Sequence, residues 1–236
     1  MEVFMNLNEF AAQYYGAYGD MVHKPVPLDA KETALVLIDV QDCLTKDYYE
    51  EAWPKFGFDP EMLKPILEEL DSYISGTLEN IGKILTKCRE KGIRPIHIKI
   101  EAYLPDAADT GRLHACAGMK YPPGMREGNF LPVAQPLDDE IILKKTCSGI
   151  HVGTPIDRIL RNLGVKNVLV VGFYTDQCVS SSVRDLADLG YATEIIDDAI
   201  GALSKERHEY ALQGIRKIYA ASENTEALLN RLDNML

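Results

Sequence analysis

A thiol, a carboxylate and an ammonium stand at three separated points of this chain, each just past a run that reads as a buried strand: Cys178, Asp39 and Lys145. Together they would supply what attack on a carboxamide needs, namely a nucleophile, a base for its proton and a cation to hold the anionic pair. Cys178 is the most telling. Val168 to Val171 is apolar and β-branched at three of four positions, which suits a strand buried on both faces. Gly172 is expected to break that strand. From Cys178 onward, Val179, Val183, Leu186 and Ala187 recur at helical spacing until Gly190, with Thr175 and Asp176 as candidate N-caps. Cys178 therefore falls in the first turn of a helix, where free N–H groups and the positive dipole end are expected to lower its pKa. The carboxyl edge of a parallel sheet is also where open α/β folds place ligands. A lone cysteine is more often plain core. The weight rests on three reactive groups reaching adjacent strand ends.

The elements that must bring them there follow in order. Residues 1–30 form an N-terminal arm: a short aromatic helix over 8–18, then an extended segment that Pro25 and Pro27 keep from being helical. The remainder, 31–236, is one domain. Strand 33–39 ends in Asp39 and Gln41. Asp59-Pro60 starts a helix, and two helices are expected over 60–70 and 71–91, stopped by Gly92. A strand follows over 93–100. Residues 101–139, rich in proline and glycine, form a long loop of the kind that serves as lid or interface. Strand 140–145 ends in Lys144-Lys145, and Thr154 to Asp157 reads as a capping box for helix 155–163. The 166–190 unit, strand 192–196, helix 204–215, a short strand 217–221 and helix 223–235 complete the chain. Strands alternating with helices on short connections give a parallel sheet, hence a three-layer α/β/α fold.

Composition bounds the setting. A net charge of −11 argues against nucleic acid or an anionic membrane as partner. Five cysteines without regular spacing fit a reducing, cytoplasmic setting rather than a disulfide framework. No apolar run reaches the roughly 18 residues of a membrane span. The acidic first residues lack the charged and apolar parts of a signal peptide. Neither GxGxxG nor a P-loop follows a strand.

Three segments then carry a resemblance: Leu37-Ile-Asp-Val-Gln41, Lys145-Thr-Cys-Ser-Gly-Ile-His-Val-Gly-Thr154, and Gly172-Phe-Tyr-Thr-Asp-Gln-Cys-Val179 with Ser182-Val-Arg-Asp185 and Gly190-Tyr191 behind it. Over roughly 33–222 the chain resembles the isochorismatase-like cysteine hydrolases, which include nicotinamidases, N-carbamoylsarcosine amidases, ureidoacrylate amidohydrolases and biuret hydrolases. The resemblance implies an Asp39–Lys145–Cys178 triad, with Lys145 preferred to Lys144 on the family's spacing to Thr154. It also implies a cis peptide between Phe173 and Tyr174 and an oxyanion site made by the backbone N–H groups of Tyr174 and Cys178. The activity implied is hydrolysis of a C–N bond in a small carboxamide or ureide through a thioester, with no redox cofactor, in a homo-dimer or tetramer.

Departures from the family limit the substrate. The Asn-Asp-Phe that commonly follows the first motif is Asp42-Cys43-Leu44 here, so Tyr48 or Tyr49 is left to line the pocket. No Asp-x-His pair occurs among His23, His97, His114, His151 and His208, which disfavours a metal-dependent nicotinamidase. Gln41, Tyr48, His151 and Gln177 are candidate substrate contacts, and Arg126 is a weaker one for a carboxylate. Cys147, close to Lys145, is the other cysteine to follow. The alternatives are a vinyl-ether hydrolase of isochorismatase type, against which Cys178 counts, and a catalytically silent binding module.

Overall fold

The structure is a computed structural model that describes residues 5–235. Residues 1–4 of the expected arm, and with them the start of the segment read for a signal peptide, lie outside the described residues. Six strands form one sheet: β1 Thr33–Ile38, β2 Arg94–Ile100, β3 Ile141–Lys145, β4 Asn167–Phe173, β5 Ala192–Gly201 and β6 Ala221–Glu223. Their order is β3-β2-β1-β4-β5-β6, and every neighbouring pair is parallel. The chain winds outward through β1, β2 and β3, then returns to place β4 on the other side of β1. The crevice at that reversal, between the carboxyl ends of β1 and β4, is where such sheets bind ligands.

Both faces are covered, which explains the continuous apolar strands. Leu35, Leu37, Leu169 and Val171 face one core together with α3 (Pro60–Glu90) and α9 (Thr225–Asp233). Ala34, Val36, Val168 and Val170 face the other, against α6 (Ile156–Asn162) and α7 (Ser180–Asp188). The three-layer α/β/α architecture expected from the element order is the one observed.

Four local expectations are corrected. The helices expected over 60–70 and 71–91 are one, α3: Leu63, Leu67, Leu70, Ile74, Ile81, Ile84 and Cys88 hold a single buried stripe along it. With the apolar period unbroken, nothing stops the helix at residue 70. Gly172 does not end β4, which runs on to Phe173. Its φ is +116°, and a Cβ there would lie 2.1 Å from the Ile38 carbonyl oxygen, so glycine lets β4 and β1 approach beside the crevice. The Thr154 capping box does not form; Thr154 Oγ1 donates to the Ile150 carbonyl (2.7 Å) and accepts from the Ile156 N–H (3.2 Å). The strand expected over 217–221 is displaced to β6, because Lys217 takes φ +60° in a turn.

The 101–139 segment is tied to the carboxyl edge of the sheet. It carries the short helix α4 (Arg112–Cys116), its Gly111 N–H donates to the Thr146 carbonyl (2.9 Å), and Phe130 bridges to Gln41. The aromatic helix, α1, spans Leu7–Val22 behind a capping box formed by Asn6 and Glu9. It meets the domain where buried Gly19 lies against Lys217 and Asp20 pairs with that ammonium (2.9 Å). Among the described residues, no helix is long and apolar enough to cross a membrane.

Candidate active site

Asp39 follows β1 in a left-handed conformation (φ +53°), with its N–H donating to the Ile98 carbonyl (3.0 Å). That turn sends its carboxyl back over the sheet edge. Lys145 is the last residue of β3, on the far side of β2 from β1, so the expectation of adjacent strand ends holds only for β1 and β4. The four-carbon stem of Lys145 covers the gap. It is fully buried, and its Nζ donates to Asp39 Oδ2 (2.8 Å), Cys178 Sγ (3.3 Å) and the Cys147 carbonyl (3.2 Å). Lys144 points elsewhere, to an ion pair with Glu101.

Cys178 lies on a turn of π type, Thr175–Val179, between β4 and α7. The Val179 N–H reaches back to the Tyr174 carbonyl (3.2 Å), one residue further than an α-helical bond. The Phe173–Tyr174 peptide before it is cis. Neither expected N-cap caps this turn. Thr175 is bonded to His208 Nδ1 (2.8 Å), and Asp176 pairs with Arg207 (2.7 Å), both on α8 (Lys205–Gln213). Ser182 Oγ donates to the Cys178 carbonyl (2.6 Å), and Ser148 Oγ donates to Cys178 Sγ (3.5 Å).

Electrostatics correct a second expectation. Cys178 is 6% exposed; burial first, then the Asp39 charge, push its thiol up to about 12 against the pull of Lys145 and Ser148. Desolvation outweighs these pulls and favours the neutral thiol over the thiolate. Burial likewise raises the Asp39 pKa despite the ammonium beside it, which makes the carboxylate a better proton acceptor. Burial opposes the charge on Lys145, but Asp39 and the Cys178 sulfur outweigh it and the ammonium is kept. Asp39 Oδ1 is buried with no hydrogen-bond partner among the described residues, an acceptor left open.

The structure distributes the remaining predicted residues unevenly. Gln41 is fully buried with its amide already used: Nε2 donates to the Ile100 and Glu127 carbonyls, and Oε1 accepts from the Ile100 N–H (2.7 Å). It is a brace between β1, β2 and the long loop, not a group facing a ligand. Tyr48, on α2 (Lys46–Ala52), shares a hydrogen bond with Tyr121 (2.9 Å). Tyr49 is hydroxyl-bonded to Tyr174, which puts this aromatic group beside the turn of Cys178. Gln177 is exposed on the turn. His151, on α5 (Ile150–Gly153), has Nδ1 3.7 Å from Asp185 on α7, and burial lowers its pKa. Arg126 lies by Asp42 (3.8 Å) and Glu51 (3.5 Å). Cys147 donates to the Gly149 carbonyl (3.4 Å). Ser148, Ser182 and Thr175 lie in the segments that carry the resemblance, but their bonds to Cys178, Ile150 and His208 were not expected from the sequence. His208 lies outside those segments and carried no such signal. No group of three or more His, Cys, Asp or Glu able to hold a metal occurs among the described residues.

Comparison with known proteins adds the following. The family model of the isochorismatase domain matches residues 33–227. The ureidoacrylate amidohydrolase RutB of Acinetobacter baylyi is 25% identical over 224 residues, covering 87% of this chain and 85% of that protein. The ureidoacrylate amidohydrolase RutB of Agrobacterium fabrum is 28% identical over 195 residues, covering 75% and 78%. In fold, the chain is similar to the crystal structure of a cysteine hydrolase from Pseudomonas syringae pv. phaseolicola, with a TM-score of 0.73 at 17% identity, over 91% of this chain and 98% of that one. An isochorismatase family protein from Desulfovibrio vulgaris gives 0.68 at 21% identity, over 86% and 98%.

Proposed function

The chain belongs to the isochorismatase family, and from that premise we propose that it is a cysteine amidohydrolase cleaving a C–N bond, other than a peptide bond, in a small carboxamide or ureide. Similarity to ureidoacrylate amidohydrolases favours this chemistry. The observation that carries it is the buried ammonium of Lys145, held 2.8 Å from Asp39 and 3.3 Å from Cys178.

In this reading Asp39 takes the Cys178 proton as the sulfur attacks the carbonyl carbon. The transfer shifts negative charge from carboxylate to sulfur without changing the net charge around Lys145. A buried site can therefore make a thiolate that it would not release protons to solvent to form. The backbone N–H groups of Tyr174 and Cys178 take the developing oxyanion. Asp39 returns the proton to the departing ammonia or amine, then activates water to cleave the thioester. Tyr48, His151 and Gln177 remain the substrate contacts to test; Gln41 does not. The near-closed setting of Cys178 suits a small substrate. Five unpaired cysteines fit a cytoplasmic location, and the arm suits assembly into a homo-oligomer.

The test is ammonia release from nicotinamide, N-carbamoyl amino acids, ureidoacrylate and biuret by wild type and Cys178→Ala. The variant is expected to lose about a thousandfold or more of the wild-type rate; equal release from both would remove Cys178 as nucleophile. Because the Asp39 pKa is raised from 3.8, the acid limb of the rate profile is expected above the ordinary carboxylate range, with activity lost as pH falls through it.

A further inference from the structure

The turn that carries Cys178 lacks a side-chain cap of its own. Its first two residues are instead held from behind by two successive side chains of α8. Thr175, fully buried, shares a 2.8 Å hydrogen bond with His208 Nδ1, and His208 is itself only 8% exposed. Next to it, Arg207 Nε donates to Asp176 Oδ2 (2.7 Å), an ion pair on the outer side of the turn. The far end of the same turn is fixed by Ser182, whose Oγ donates to the Cys178 carbonyl (2.6 Å) while accepting the Ile150 N–H (3.3 Å). Neither His208 nor Arg207 is hydrogen-bonded to Asp39, Lys145 or Cys178.

A buried imidazole is an expensive way to fill interior space, where leucine would pack without desolvating a polar ring. Its return is directional: a hydrogen bond fixes an angle and a distance, which an apolar contact does not. Burial lowers the His208 pKa, which favours the neutral ring. Reactions of this kind are sensitive to displacement of the attacking atom, and about 1 Å of misplacement is enough for a hundredfold loss.

Taking Cys178 as the nucleophile, as proposed above, we infer that α8 is a positioning element: the His208–Thr175 hydrogen bond, backed by Arg207–Asp176, holds the turn so that the Cys178 sulfur stays at the Lys145 ammonium. His208 acts through Thr175 and touches no reacting atom. Without the bond the turn can settle differently, the sulfur leaves the 3.3 Å contact with Lys145, and the thiolate loses the charge that favours it.

The inference is tested with His208→Leu, Thr175→Val and His208→Asn. The first two remove the bond from opposite sides at similar volume; asparagine keeps a polar atom near the position of Nδ1. One readout needs no substrate: the rate at which iodoacetamide alkylates Cys178 at pH 8, by mass spectrometry, relative to the exposed Cys116 in the same molecule. His208→Leu and Thr175→Val are each expected to lower that ratio at least tenfold, with the double variant no lower than either alone, and His208→Asn to stay within threefold of wild type. A ratio unchanged or raised in a folded His208→Leu or Thr175→Val protein overturns the inference, even if melting temperature falls, since a purely structural role would move stability alone. If His208→Leu does not fold, Thr175→Val decides. The second readout is ureidoacrylate hydrolysis, where the same variants are expected to lose ten- to a hundredfold in kcat with KM within threefold. Unchanged kcat in them, alongside loss in Cys178→Ala, overturns the role of α8 alone; hydrolysis retained in Cys178→Ala overturns the parent reading instead.

Discussion

Removing the negative charge of Asp39 should separate two properties that usually move together, thiol reactivity and turnover. The Cys178 thiol stands at about 12 because of burial first and the Asp39 charge second, with Lys145 pulling the other way. In Asp39→Asn the repulsion goes and the buried ammonium has lost its counter-ion, an arrangement that costs several kcal/mol if left uncompensated. Ionising Cys178 restores the pair. The thiol pKa is therefore expected to fall by about 2 or more, and iodoacetamide to label Cys178 faster at pH 7. Hydrolysis is expected to fall at least a hundredfold, because no base remains for the leaving group or the water. Thiolate absorbance near 240 nm against pH checks the first; ammonia release checks the second. That Asp39, Lys145 and Cys178 could share one sheet edge was legible in the sequence because each stands at or just past a recognisable apolar run, with the choice of Lys145 over Lys144 resting on the resemblance. Their electrostatics were not: a helix start favours a thiolate, but desolvation depends on what packs around the sulfur, which a linear sequence does not display. Gln41 was misread for a related reason, since its partners Ile100 and Glu127 lie 59 and 86 residues away. His208 was invisible as a partner of Thr175 until α8 was seen folded back onto the turn.

At the level of elements, periodic segments were legible and the places where two elements meet were not. The strands were found because both faces of the sheet are covered, leaving uninterrupted apolar runs. The break expected inside α3 and the end expected at Gly172 both failed, because local residue habit was overruled by packing: a stripe that continues through residue 70, and a strand that needs a bare backbone against Ile38. One such meeting point gives a prediction about pH. Glu140, just before β3, accepts from Arg89 at the end of α3 (2.7 and 2.8 Å), pairs with His97 on β2 (2.8 Å), and accepts the Leu137 N–H (3.0 Å). Burial pushes its pKa up, but these partners outweigh burial and hold it at about 2 instead of the ordinary 4.5. A depressed carboxyl contributes stability that is complete above its unfolded pKa and lost as pH falls through the folded one. Glu140 is thus expected to stabilise the junction fully above about pH 4.5 and progressively less toward pH 2. Glu140→Gln is expected to cost about 1.5–3 kcal/mol at pH 7, the worth of bonds to a charged group. It should also flatten the decline in melting temperature over that acid window, measured by calorimetry; an unchanged decline would assign the acid sensitivity to other carboxyls.

For the molecule as a whole, the question is what the arm does. Helix α1 touches its own domain through Gly19 and Asp20 near its end, while Leu7, Phe10, Tyr14 and Met21 are between 53% and 79% exposed. Phe10, Tyr14 and Tyr18 stack along one side, with ring centroids 6.2 Å apart at each step. A lone helix of this length is marginal in water and gains most of its stability from an apolar face packed on something. A second copy supplies such a surface by symmetry, and in a two-fold interface each side chain counts twice. Burying an aromatic side chain contributes about 1.5–3 kcal/mol, so Phe10→Glu with Tyr14→Glu would remove four such contributions and add four buried charges. Wild type is expected to run as a dimer or larger by light scattering, and the double variant as a monomer at micromolar concentration. The crevice beside Cys178 lies between β1 and β4, whereas Lys217, where α1 is pinned, follows α8 just before edge strand β6. Alkylation of Cys178 should accordingly stay within twofold of wild type in the separated subunits. A variant that keeps the wild-type mass would assign the aromatic stripe to something other than self-association; one that separates and also loses Cys178 reactivity would mean that the partner subunit helps to shape the site.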